Sequence, residues 1–346
     1  MKPWYSYFVG AAVFCTVTTV VAAFVGGWAT VVTVTFLTLL ETSLSFDNAI
    51  VSAGIITHWN AKWRHRYLTW GMFVAVFGMR LVFPVLIVAV AGGVGPLAVV
   101  DLAFNDPQEY GRLLGAAHHQ IAAFGGAFLL MVFLHFFVAS HKTEHWLVAL
   151  ERPLTRLGKL EAVEAALTLA VLILASYMID ADARRAEFIT AGVWGVVIFI
   201  LSKGLTALIG GDVEGGHARI VRQGVAGFLY LELLDASFSF DGVVGAFALT
   251  QNLIIITLGL GAGAMFVRSF VLLLVERGTL ETYRYLEHGA FWAVGVLAVI
   301  MFAGVEFHVP EAITGMLGAT LIVLALVSSI RANRKEAQVS AKGEPQ

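Results

Sequence analysis

Charge is scarce in this chain and cysteine is nearly absent. Of 346 residues only 13% are Asp, Glu, Lys or Arg, about half the share of a soluble domain, and that shortage excludes a water-soluble globule. The single cysteine, Cys15, excludes an internal disulfide framework and, with no Cys or His cluster beside it, a zinc ribbon. The formal net charge of −2 supplies no excess of basic residues, and no nucleic-acid partner is expected. What the chain has in abundance is apolar: 59% of residues are hydrophobic and 12% aromatic. The mean hydropathy is +0.83, and runs long enough for a membrane helix recur throughout. The expected fold class is all-α, a polytopic membrane protein whose first partner is the lipid bilayer.

At about 20 apolar residues per crossing, ten transmembrane helices are expected near 6–26, 28–57, 68–91, 118–140, 163–180, 187–209, 223–250, 252–275, 285–305 and 311–330. An even number puts both termini on one side. Of the 22 Lys and Arg residues, Arg80, Lys203 and Arg268 fall inside helices, Arg112, Arg184 and Arg185 fall opposite the termini, and the remaining sixteen lie on the terminal side. By the positive-inside bias both termini are cytoplasmic, in the plasma membrane. The apolar stretch from Tyr7 to Val25 ends near the small residues Ala22 and Ala23, as a cleaved signal would, but the charge distribution makes it the first span. A transmembrane domain over 1–331 and a disordered cytoplasmic tail over 332–346 complete the expected organisation.

The chain repeats itself. Leu40 to Asp47 reads LETSLSFD and Leu234 to Asp241 reads LDASFSFD, an offset of 194 residues. Each copy is followed by an apolar helix with one arginine, Arg80 and Arg268, and His119 and Gly126 match His288 and Gly295 in the helix after that. Five crossings separate the copies, so they run in opposite directions. The expected arrangement is a 5+5 inverted-topology repeat, about 6–180 against 187–330, which in secondary transporters places the binding site near the bilayer midplane between the halves.

The repeated segments carry five acids in apolar surroundings: Glu41 and Asp47, then Glu232, Asp235 and Asp241. Each costs about 2.5 to 3.5 kcal/mol at a helix centre, and three bases cannot neutralise them all. At about 100° per residue, Glu41, Ser45, Asn48 and Ser52 form one stripe, with Ser43 and Asp47 about 120° away. Glu232, Asp235 and Ser239 repeat the first stripe, and Ser237 and Asp241 the second. The helix over 28–57 is too long for the bilayer unless tilted or broken, and a break at SFDN or SFDG would free carbonyls to join the carboxylates. Oxygen ligands without cysteine or histidine suit a hard divalent cation, Mn²⁺, Ca²⁺ or Mg²⁺. The expected ligands are Glu41, Asp47, Asn48, Asp235 and Asp241. Glu232, Ser45 and Ser239 are expected along the ion pathway. Arg80 and Arg268 are expected to orient and balance Asp47 and Asp241, and Lys203 to face Glu232 or Asp235. The alternative is that the acids only pin helices together through these bases.

ETSLSFDNAIV at 41–51 and LELLDASFSFDGVVGAFALT at 231–250 resemble the two signature segments of TerC-like integral membrane proteins, and the resemblance extends over the two helices that follow each segment. It implies a Mn²⁺ exporter of the cytoplasmic membrane with Glu41, Asp47, Asp235 and Asp241 as motif acids, Asn48 beside Asp47, and Arg268 in the helix after the second segment. One position departs: many relatives have a hydroxyl residue where this chain has Gly242. The expected function is a secondary transporter exporting a divalent cation by alternating access with proton coupling, with no permanently bound cofactor and no enzymatic activity. A membrane scaffold that delivers metal without moving it shares the same ligands.

Enzymatic signals are weaker. His141, Glu144 and His145 spell H-x-x-E-H, an inverted zinc-peptidase pattern that could find a third ligand only in Glu214. Asp47 and Asp241 could form an aspartyl-protease dyad, but the GxGD segment of such enzymes is missing. His118, His119 and His288 read as interfacial residues or proton relays. Trp28, Trp59, Trp63, Trp70 and Trp146 read as an aromatic belt, and Pro84 as a helix kink.

Overall fold

The computed structural model describes residues 3–138, 144–158, 160, 162–209, 224–307 and 309–342, and among them every regular element is helical. The first half comprises α1 (Val9–Leu44), α2 (Phe46–Ile56), α3 (Ala61–Arg66), α4 (Phe83–Gly92), α5 (Pro96–Asn105), α6 (Pro107–Ala116), α7 (His118–Val138), α8 (Val148–Leu157) and α9 (Val163–Ser176). The second comprises α10 (Asp182–Ile209), α11 (Val225–Leu249), α12 (Leu253–Glu276), α13 (Thr279–Thr282), α14 (Leu286–Ala303) and α15 (Glu311–Lys342). Between α3 and α4 the chain is wound as a π-helix over Tyr67–Gly71 and Val74–Val82.

Among the described residues six helices are long and apolar enough to cross a membrane, or seven if the bent pair Ala61–Gly71 and Val74–Val90 is one span. They fit a multi-pass membrane protein. The difference from ten has local causes. Helix α9 has only 14 residues, α11 carries Glu232, Asp235 and Asp241 within one apolar stretch, and α1 is continuous only in hydrogen bonding. At Gly26 and Gly27 its backbone leaves the helical region, and Gly27 takes φ 67 and ψ −154, a conformation essentially confined to glycine. The chain reverses there. Tyr7 donates to Glu276, Phe8 meets Phe270, and Phe14 lies near Gly261, so the first arm descends α12 backwards. Val34 packs with Ile255, Thr38 donates to the Gly259 carbonyl and Phe46 meets Phe270, so the second arm runs along α12 forwards.

Helix starts follow their sequences. Asn252 caps α12 by accepting from the N–H groups of Ile254 and Ile255, Asp106 caps α6 by accepting from Glu109, and Pro96 and Pro107 open α5 and α6, where no N–H is needed. Helix α7 lies at the centre, buried on nearly all sides by α10, α14 and α9, whereas α1 and α15 expose apolar surface outward. Small residues allow the closest contacts. A Cβ on Gly263 would stand 2.5 Å from Glu41 Cβ, and one on Gly259 2.6 Å from Leu37 Cβ, so α12 offers a GxxxG stripe to the second arm of α1.

Three sequence expectations change here. The bend falls at Met72–Phe73, with an angle of 42°, rather than at Pro84. Proline removes only the bond to its own preceding turn, and the chain upstream accommodates this by π-winding. The segment SFDN is broken only slightly at Ser45 (φ −95, ψ 15), since Ser45 N still donates to Glu41 O and Ala49 N to Ser45 O. SFDG is unbroken within α11. The residues after 331 are helical as far as Lys342, because Ala, Arg, Lys, Glu and Gln are good helix formers. Asn333 donates to the Thr282 carbonyl at 2.8 Å and Glu336 pairs with Arg284, which ties this extension to the core.

Candidate functional site

Helices α1, α2 and α11 meet, with Glu41 of α1 and Asp235 of α11 on either side of Arg80. Arg80, only 1% exposed, pairs through Nη2 with Glu41 Oε1 and through Nη1 with Asp235 Oδ2 at 3.3 Å; it also donates to the Ala75 carbonyl. Asn48 Nδ2 donates to Asp235 Oδ1 at 2.7 Å, Ser45 Oγ to Glu41 Oε1 at 2.9 Å and Ser52 Oγ to Asn48 Oδ1 at 3.2 Å. Tyr67 Oη, a residue with no signal in the sequence, reaches Ser52 Oγ at 3.5 Å. The stripe Glu41, Ser45, Asn48 and Ser52 therefore forms two hydrogen-bonded pairs, joined to each other through Asp235 and Arg80.

Beside it lies a cavity of about 50 Å³ lined by Asn48, Ser52, Tyr67, Arg80, Glu232, Asp235 and Arg268 among others, room for on the order of three waters or one partly hydrated ion. Glu232 is 5% exposed. Its Oε2 has no hydrogen-bond partner among the described residues, nor has the Nε of Arg80 or of Arg268. Buried polar atoms without partners are costly, and several at one cavity call for a partner such as water or an ion.

The sequence-derived set divides. Glu41, Asn48 and Asp235 come together, with Ser45 and Glu232 beside them. Asp47 is buried on the other face of α2, takes the N–H of Asn48, and has its Oδ2 3.9 Å from where a Cβ on Gly318 of α15 would stand. The 120° between the two stripes explains the split. Ser239 is buried, with no hydrogen-bond partner for its hydroxyl among the described residues, and the side chain of Asp241 lies outside the described residues. Arg80 thus balances Glu41 and Asp235 rather than Asp47, while Arg268 lines the cavity without an ion pair among the described residues. Lys203 is not beside Glu232 or Asp235: its Nζ is 3.4 Å from His135 Nδ1, which is 3.0 Å from Glu164 Oε1. No group of three or more His, Cys, Asp or Glu among the described residues stands ready-made as a metal cage, because an arginine lies between Glu41 and Asp235.

The other candidates disperse. His141 and Glu214 lie outside the described residues. Glu144 faces Arg284 at 3.8 Å while His145 faces Glu151 at 3.5 Å. His119 pairs with Glu187 near the start of α10, and His288 is buried against Glu151. Trp28 and Trp70 are exposed as a belt requires, but Trp59 is buried.

Two sets of contacts are reciprocal. Asn48 meets Asp235, and a Cβ on Gly242 would stand 3.2 Å from Glu41 Oε2; the offset of 194 carries Glu41 to Asp235 and Asn48 to Gly242. A Cβ on Gly126 would stand 3.3 Å from the Phe302 ring, and one on Gly295 2.5 Å from the Phe133 ring; here one offset of 169 carries Gly126 to Gly295 and Phe133 to Phe302.

Residues 46–336 match the model of DUF475, a family described as a protein of unknown function. The chain belongs to that family. No curated protein and no solved structure matches it. The DUF475 match covers α2 through most of α15 and so includes Asn48, Arg80, Glu232 and Asp235, while Glu41 and Ser45 precede it.

Proposed function

We propose that this DUF475 protein is a secondary transporter that exports a hard divalent cation, Mn²⁺ foremost, across the plasma membrane. The observation that carries the reading is that Arg80 joins Glu41 and Asp235, equivalent residues of the two sequence copies, and that Arg80 and Asp235 line a cavity with Glu232, whose Oε2 has no hydrogen-bond partner among the described residues. Carboxylate and amide oxygens from Glu41, Asn48, Asp235 and Glu232 are ligands suited to such an ion. Glu232 moves from pathway to ligand in this assignment, and Asp47, on the face of α2 toward Gly318, does not touch the ion.

The reciprocal contacts support the ten-helix 5+5 inverted repeat. When i touches j′ and j touches i′, a two-fold relation between the copies is the simplest cause. The reversal at Gly26–Gly27 supplies two crossings from α1, and α9 and α11 supply two more. On this count both termini are cytoplasmic, the site lies between the halves, and rocking of one half against the other alternates its access. Protonation of the carboxylates on the return stroke is the coupling we assign. The likeness of the two signature segments to TerC-like proteins favours manganese among the hard divalent ions.

The test is direct. Inside-out vesicles holding the wild-type protein accumulate Mn²⁺ against its gradient when a pH gradient is imposed, whereas Glu41→Gln and Asp235→Asn reduce uptake about tenfold or more. Binding without uptake would instead make the protein a metal-delivering scaffold, and neither binding nor uptake removes the proposal.

A further inference from the structure

Resting on the transport reading, we propose that Arg80 is the site's own resident cation: its guanidinium bridges the carboxylates of Glu41 and Asp235 and must be displaced for a divalent ion to take them. Three features of the arginine support this. Its two terminal nitrogens hold one carboxylate from each sequence copy, so it lies between the groups that a bound cation would bridge. A third carboxylate, Glu232, sits in the same cavity with an unpartnered oxygen. The neck of the arginine is unsatisfied, since Nε is buried without a hydrogen-bond partner among the described residues. A group whose only task was to pin two helices would gain from bonding all its donors.

The backbone beneath Arg80 supplies a way for it to move. Val74–Val82 is π-wound, with Arg80 near its end, and single π-turns within α-helices recur at functional sites. Rewinding that stretch to an α-helix removes the extra residue of the turn and swings Arg80 by roughly 100° about the axis, away from Glu41 and Asp235. The cavity beside Tyr67, Gly71 and Ala75 adjoins the same segment. The two positively charged occupants then exclude one another: arginine bridges the acids, or the cation does.

Substitution tests this on the purified full chain, with Mn²⁺ binding followed by the loss of the free-ion paramagnetic resonance signal. Arg80→Gln is expected to bind Mn²⁺ about tenfold more tightly than wild type while turning over more slowly, so that KM and kcat both fall, because the ion is no longer expelled by the returning arginine. Binding by Arg80→Gln equal to or weaker than wild type overturns the proposal. Should that variant not fold, Glu41→Gln is compared with Glu41→Gln/Arg80→Gln, in which the formal charge is restored. The double variant binding more tightly than the single supports competition, and the reverse defeats it. If the wild type transports Mn²⁺ and the arginine variants gain no affinity, only this inference fails. If no form of the protein binds Mn²⁺, Ca²⁺ or Mg²⁺, the transport reading fails and takes this with it.

Discussion

The carboxylate of Glu151 shows how a buried charge is held by its neighbours. Burial pushes its pKa up. The His288 ring, through its hydrogen bond and charge, together with the Leu147 N–H and the Trp292 indole, more than reverses this and brings it to about 2. The side chain thus fastens the surface helix α8 to the start of α14. A carboxyl whose folded value lies below its unfolded one stabilises the protein above about pH 4.3 and loses that contribution as pH falls toward 2. Glu151→Gln is expected to cost about 3 kcal/mol at neutral pH and to flatten the acid limb of a pH series of thermal unfolding in detergent. At this scale the sequence showed which residues are unusual, since an intramembrane Glu, Asp or Arg is expensive wherever it points. It did not show partners. Whether Arg80 meets Asp47 or Glu41 depends on how α2 is rotated against its neighbours, and Glu151 gave no signal because an acid in an amphipathic surface helix is ordinary.

The helical class was legible from apolar runs, and the division between 6–26 and 28–57 from the length of a span, which puts it at the Gly26–Gly27 break. The π-wound stretch was not, because its residues are as suited to an α-helix. Two substitutions probe elements rather than single contacts. Gly27→Ala places a Cβ where φ is positive and ψ near −154 and is expected to lower stability by about 1–3 kcal/mol, readable as a drop in the detergent unfolding temperature. Gly263→Val crowds Glu41 Cβ and the Thr38 carbonyl, at about 1–3 kcal/mol for overpacking. Because it displaces Glu41, a proposed ligand, it is also expected to reduce Mn²⁺ uptake, while Gly10→Val, at a position with nothing among the described residues within 4 Å, leaves uptake unchanged.

At the scale of the molecule, two matching octapeptides are visible in the sequence, and the proposed inverted repeat draws its structural support from reciprocal contacts that the sequence pattern does not reveal. Those contacts are also unequal: Asn48 gives Asp235 an amide partner, whereas Gly242 gives Glu41 none. The proposed sidedness, with both termini cytoplasmic, rests on the sixteen basic residues set against three. A cysteine introduced at Gln346 in the Cys15→Ser chain is expected to resist a membrane-impermeant thiol reagent in intact cells and to react once they are opened, as is one introduced at Pro3.

The clasp between α1 and α12 reaches from the earliest part of the chain to a helix that leaves the ribosome more than two hundred residues later. During synthesis the first hairpin therefore enters lipid with Glu41 and waits for both its countercharge and the small-residue face that covers it. A nascent chain stopped short of Leu253 would expose that carboxylate to the quality-control machinery, so shortened products should be cleared quickly while the full chain persists.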